Sequence, residues 1–270
     1  MTSVEKAMTD AGAVGRVLFF PELLFGVPDP QESLRAFDHL ATLKHVIFKT
    51  PTPVMGGHPS NTNAALIEAH RWALHNGFTP ERSLEAFKSY RPNMLVVYPE
   101  AIRPDLPGFF SRCEGCVDSM IFVEGVAGQE RALAERGFDA EDAASLADRH
   151  KIALPRIVYT GYEHTFEEPV RSARGFLYLA VAPATGGEVV TGADVARAVD
   201  SIKRIRDIPI LAGFGIQSIE LLTRVASVAG INGVTIGNWL LRSLLRGYQD
   251  FCSVVAQIDE ALDRVSRRGG

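Results

Sequence analysis

Eight short and nearly unbroken apolar runs recur along the chain: Val17–Phe20, His45–Phe48, Asn93–Tyr98, Ser119–Val123, Arg156–Tyr159, Phe176–Val181, Ile208–Gly213 and Gly233–Ile236. A strand with one wet face alternates apolar and polar side chains. Runs this continuous fit strands buried on both faces. Between the runs the apolar spacing shifts to a helical period. Ser33, Leu34, Phe37, Leu40 and Leu43 mark one helix. Ala64, Leu66, Ile67, His70, Trp72 and Leu74 mark a second, stopped at Asn76-Gly77. Val195, Ala198, Val199, Ile202 and Ile205 form a stripe within 191–206, and Ser218 caps a further helix over 218–228.

Strand and helix alternate eight times with no composition break, which predicts one closed parallel (β/α)8 TIM barrel, an α/β fold, as a single domain over residues 1–270. An open doubly wound sheet would place its glycine-rich turn after the first strand. Here the glycine-dense turns follow strands six, seven and eight. The length of 270 residues suits one barrel. Two segments read as long loops at strand ends, Thr50 to Asn61 and Ala182 to Gly192. Barrels keep their chemistry in such loops.

The glycine turns point to an anion. Gly213-Phe214-Gly215 and Gly237-Asn238 each join a strand to a helix, and Gly186-Gly187 follows strand six. Glycine lets backbone approach a ligand closely. The free N–H groups of a helix start favour a negative charge. Gly187, Gly215, Gly237 and Asn238 are therefore expected to hold a phosphate, the place where barrels often bind one.

These residues resemble a known family, the α subunit of tryptophan synthase. Arg174-Gly-Phe-Leu-Tyr-Leu is similar to its sixth strand, and Thr185-Gly-Gly-Glu stands where its mobile loop begins. Pro209-Ile-Leu-Ala-Gly-Phe-Gly-Ile and Gly233-Val-Thr-Ile-Gly-Asn resemble its phosphate-binding turns. Asp118-Ser-Met-Ile-Phe-Val-Glu resembles its fourth strand, and Gly26 with Asp29-Pro30 its first βα loop. The resemblance implies cleavage of indole-3-glycerol phosphate to indole and glyceraldehyde 3-phosphate. It implies two acids: a glutamate on strand two, and an aspartate in the following loop that binds the indole N–H. It also implies a β-subunit-like partner. In this sequence the glutamate position is read as Ile47 or Phe48, and the aspartate position as Gly57 or His58. The phosphate grip reads as kept and the two acids as replaced, so a divergent lyase on a phosphorylated small molecule is expected.

Replacement proton chemistry is sought among His58, Lys49 and Glu124. His58 sits in a Gly-Gly-His-Pro loop, and a free imidazole titrates near neutrality. Lys49 follows the second apolar run and can form a Schiff base or pair an anion. Glu124 ends strand four, and Glu22 follows strand one. Tyr98, Tyr159 and Tyr178 are expected to line the pocket with a hydroxyl at its wet end. His164 after strand five, and Asn61 and Asn63, are further polar candidates. A sugar-phosphate isomerase or aldolase, and a non-catalytic binder of a β-like subunit, are the alternative readings.

Other classes recede. No HxH or HExxH spacing supports a metal, and no cofactor motif occurs. Cys113 and Cys116 form one CxxC without a second pair, at the end of a predicted helix, and read as packing. Net charge is −4, and the densest basic cluster lies at Arg264 to Arg268, so nucleic acid is not expected. No apolar run suits a signal peptide or a membrane span, and three cysteines fit a reducing cytoplasm.

Overall fold

The computed structural model describes residues 1–55, 64–98, 105–122, 140–182 and 191–266. Eight strands run in parallel: β1 (Leu18–Pro21), β2 (Phe48–Pro51), β3 (Asn93–Val97), β4 (Ser119–Phe122), β5 (Arg156–Tyr159), β6 (Leu177–Ala180), β7 (Ile210–Gly213) and β8 (Gly233–Ile236). They pair in the orders β1-β8-β7-β6-β5 and β2-β3-β4. Bridges Phe19 to Val46 and Glu22 to Lys49 join β1 to β2, and Ser119 to Ala153 joins β4 to the approach of β5. The ring is thereby closed, as the eightfold alternation predicts.

Strand periodicity divides the core. One set of side chains, among them Phe19, Phe48, Leu95, Leu177, Ala212 and Val234, packs outward against the helices. The alternate set, among them Phe20, Ile47, Met94, Ile121, Tyr178 and Leu211, fills the barrel. The helix Ser3–Ala13 was not foreseen from the apolar pattern. It begins with a capping box between Thr2 and Glu5. Its Val4, Met8 and Ala11 join the barrel-filling cluster and so plug the end from which the strands start. Among the described residues, the opposite end, at the C-terminal ends of the strands, carries no such plug and is taken as the mouth.

Two expectations need correction. The second strand lies at Phe48–Pro51, not at His45–Phe48. A lysine and a proline read as a strand end, yet Lys49, Thr50 and Pro51 are all buried in the strand. Odd-numbered residues here donate toward β1, as Ile47 N–H does to the Phe19 carbonyl, and β1 ends at Pro21. Pro51, which has no N–H, therefore costs no ladder bond. The helix Ala64–His75 is present, but its inward face is Ala69, His70 and Ala73, while Trp72 is exposed.

The strand starts are pinned by a buried polar knot. Asn93 donates through Nδ2 to the carbonyls of Phe87, Tyr90 and Cys116, and its backbone N–H donates to Asp118. Arg91 pairs with the same carboxylate. Cys113 ends the helix Leu106–Cys113, Cys116 follows it, and both are buried free thiols whose pKa burial raises. That environment disfavours the thiolate, so they are packing residues as expected.

Candidate functional site

The inward-facing positions nearest the mouth carry the polar chemistry of the barrel. Deep in the barrel, β1 and β2 present Phe20 and Ile47. One pleat further on, the same faces present Glu22 and Lys49. Lys49 Nζ lies 2.5 Å from Glu22 Oε2, with 5% and 21% of the two side chains exposed. The ammonium also lies 3.4 Å from Thr235 Oγ1 and 4.9 Å from the centre of the Tyr178 ring. A lysine this deep is rare unless paired. Here a carboxylate, a hydroxyl and an aromatic face all contribute to offsetting its lost hydration. Tyr178 is buried, and burial raises its pKa well above the usual phenol value, with Glu22 adding to the effect. It therefore stays a neutral hydroxyl.

Two glycine turns border this pair. Phe214 and Gly215 both take positive φ, 65° and 79°. A left-handed phenylalanine is uncommon and costs about 1–2 kcal/mol. Its ring meets Tyr178 edge-on at 5.4 Å, and its backbone N–H is directed to the Tyr178 hydroxyl. Gly237 precedes the helix Asn238–Arg246, whose start has no side-chain cap. By contrast the helix Ile219–Ala226 is capped by Ser218 on the Leu221 N–H. The first-turn N–H groups after Gly237 thus lie at the C-terminal end of β8 with no capping side chain among the described residues. A β-carbon added to Gly237 would lie 3.1 Å from Glu22 Oε1, so this turn and the ion pair are neighbours. Glu22, Pro51, Leu66, Gly237 and Asn238 line one cleft. Asn238 Oδ1 is buried without a partner among the described residues.

His70 adds a second polar group that the apolar-stripe reading took for core. The Val54 N–H donates to its Nδ1 at 3.4 Å, which leaves the ring proton on Nε2. Nε2 is buried without a partner among the described residues. The ring meets Tyr98 edge-on at 5.1 Å. Burial lowers its pKa to about 4, with Glu22 partly opposing. The unfolded chain, near 6.5, binds this proton first as pH falls. The resulting stability is complete above the unfolded value and is lost between it and about 4. Urea unfolding should show about 2 kcal/mol less stability at about pH 5 than at about pH 7.5 from this group. The difference should shrink by that amount in His70→Asn, which keeps an acceptor for the Val54 N–H. An unchanged pH dependence in that variant would refute the assignment.

The other sequence candidates separate clearly. Tyr98 is buried at the end of β3, Tyr159 is half-buried at the end of β5, and Tyr178 lies within β6. All three face inward and pack with the barrel-filling cluster. His164 lies in an exposed turn beside Tyr162, away from the ion pair's contacts. His58, Glu124, Gly187, Thr185, Asn61 and Asn63 lie outside the described residues. Among the described residues, no cluster of three His, Cys, Asp or Glu could hold a metal, and no helix is long and apolar enough to cross a membrane. Glu22 carries only a weak local signal in the sequence, and Thr235 and His70 carry none that marks a site. Counting by twos from Phe20 and Ile47 finds the first pair, because side chains alternate faces.

Comparison with known proteins agrees with this architecture. The family model for the tryptophan synthase alpha chain matches residues 12–267. The alpha chain of Halorhodospira halophila is 24% identical over 252 residues, covering 90% of this chain and 88% of that one. That of Oceanobacillus iheyensis is 29% identical over 197 residues, covering 71% and 72%. Among solved structures, the tryptophan synthase alpha subunit of Legionella pneumophila superposes with a TM-score of 0.79 at 18% identity, covering 98% and 99% of the two chains. A Mycobacterium tuberculosis tryptophan synthase chain gives 0.78 at 19%, covering 97% and 98%. With its closed barrel and a family match over nearly its whole length, this chain belongs to the tryptophan synthase alpha chain family.

Proposed function

We propose that this chain is a divergent lyase of its family that acts on a phosphorylated small molecule, an indole-3-glycerol-phosphate-like compound or another sugar phosphate. Its proton chemistry is centred on Lys49. The observation that carries this reading is the Lys49–Glu22 pair at the mouth, with Glu22 against the Gly237 turn. The strand-two side chain that faces the mouth is a lysine, whereas Phe48 packs outward and Ile47 lies deeper. The place of the family's strand-two glutamate is therefore better taken as Lys49 than as Ile47 or Phe48. An ammonium donates protons where a glutamate would accept them, and the carboxylate now comes from β1. His58 and Glu124 remain candidates for further proton transfer in the same reading.

In this proposal the phosphate is held by backbone at Gly187, Gly215, Gly237 and Asn238, and Tyr98, Tyr159 and Tyr178 line the rest of the pocket. The uncapped helix start after Gly237 supports that grip. Glu22 beside it is unfavourable for an anion, and Lys49 offsets that charge. Calorimetry with glycerol 3-phosphate tests the grip. Wild-type protein should bind it. Asn238→Asp, which keeps side-chain shape and suits a helix start, should weaken binding about tenfold or more by placing a charge beside the anion. Absence of wild-type binding, or binding indifferent to Asn238→Asp, would overturn the reading.

A further inference from the structure

We infer that Lys49 is a covalent catalyst: its amine forms an imine with the carbonyl carbon of a phosphorylated aldehyde or ketone, and Glu22 carries the protons. The inference rests on the phosphate reading above and deepens it by naming the substrate class. Three observations meet at one atom, Lys49 Nζ, and a fourth at its carboxylate partner. Nζ is almost withdrawn from solvent, so water competes weakly for it. A carboxylate stands 2.5 Å away, within direct proton-transfer distance. Tyr178 and Thr235 bound the space around the nitrogen with neutral groups. The Gly237 turn, in contact with the same carboxylate, gives the phosphate end of a short substrate an anchor. An ion pair serving stability alone needs neither the mouth position nor that neighbour.

The chemistry balances without a cofactor. The Lys49 ammonium passes one proton to Glu22, and the freed lone pair attacks the carbonyl carbon. The carbonyl π electrons go to oxygen, which takes the proton back from Glu22. The nitrogen of this carbinolamine then gives a second proton to Glu22. Glu22 delivers it to the departing hydroxyl, which leaves as water, and the nitrogen lone pair forms the C=N bond. The sum is ammonium plus carbonyl giving iminium plus one water. In a substrate with a β-hydroxyl, Glu22 next removes the hydroxyl proton. The Cα–Cβ electron pair then flows into the iminium, which gives an enamine and a second carbonyl product.

The test is reductive trapping of wild-type protein with dihydroxyacetone phosphate and borohydride, read by intact mass and peptide mapping. The hydride adds to the iminium carbon and leaves a stable secondary amine. The expected result is one label, the mass of the triose phosphate less one oxygen, on the peptide containing Lys49. Inorganic phosphate should suppress it, and Lys49→Arg, folded by circular dichroism, should lack it. Glu22→Gln should slow labelling by about 10²-fold or more while Lys49 remains present. Dihydroxyacetone phosphate that binds by calorimetry yet leaves Lys49 unlabelled would overturn the imine and spare the phosphate reading. Neither binding nor label would overturn both. A label spread over exposed lysines with no excess at Lys49 also overturns the imine. Equal labelling by unphosphorylated dihydroxyacetone, indifferent to phosphate, would overturn the substrate class.

Discussion

Glu22→Gln is expected to destabilise the protein more than Lys49→Met, and the double variant less than the sum of the two. The ammonium keeps only 5% of its side chain exposed and the carboxylate 21%. Removing Glu22 strands a cation that water can scarcely reach, and breaking a buried pair this way costs about 3–5 kcal/mol. Removing Lys49 strands a carboxylate that water still touches, so about 1–3 kcal/mol is expected after screening. With both charges gone, in Glu22→Gln with Lys49→Met, no buried ion is left unpaired. The coupling in this double-mutant cycle should then be about 2 kcal/mol or more. Urea unfolding of the four proteins at neutral pH measures it. Additive effects would mean that the two charges do not share one site. Both single variants should also lose about 10²–10⁴-fold of any turnover that depends on proton transfer at this pair.

Gly213→Ala is expected to cost about 3 kcal/mol, large for a single methyl group. A β-carbon there would overlap Thr235 Cγ2 and stand 2.5 Å from the Tyr178 hydroxyl oxygen. Thr235 is held in β8 and Tyr178 in β6, so neither can swing clear. Displacing Tyr178 would also disturb its contacts with Lys49 and with the Phe214 turn. For a domain of this size the thermal midpoint should fall by about 6–10 °C. Adding Thr235→Ser removes the overlapping methyl and keeps the hydroxyl beside Lys49, so it should recover part of the loss. If Gly213→Ala melts like wild type, the close packing of β6, β7 and β8 at the mouth is wrong.

Much of the fold was legible because burial on both faces leaves a strong local trace. Phe176–Val181 and Gly233–Ile236 are apolar almost without interruption, and β6 and β8 fall there. Ser218 carries its own signal as a cap, and its helix begins where the side chain accepts the Leu221 N–H. The misplacement of β2 has a physical origin. Lys49 and Pro51 are locally unfavourable in a buried strand; partners distant in sequence make Lys49 tolerable, and the end of β1 beside it does so for Pro51. Glu22 reaches Lys49 from the end of the neighbouring strand β1, and Thr235 from β8, and both lie too far away in sequence for a local window to reveal. His70 looks from sequence like one more core position on a helical stripe, since an isolated buried imidazole resembles any half-apolar residue. The glycine turns were visible as composition. The positive φ at Phe214 was not, because nothing local requires it.

The most direct test of the proposed altered centre is indole release from indole-3-glycerol phosphate by the purified wild-type chain. On the proposed replacement of the family's strand-two acid by Lys49 and Glu22, no enzyme-dependent indole should accumulate above the buffer rate. Sustained indole release proportional to enzyme would contradict the account.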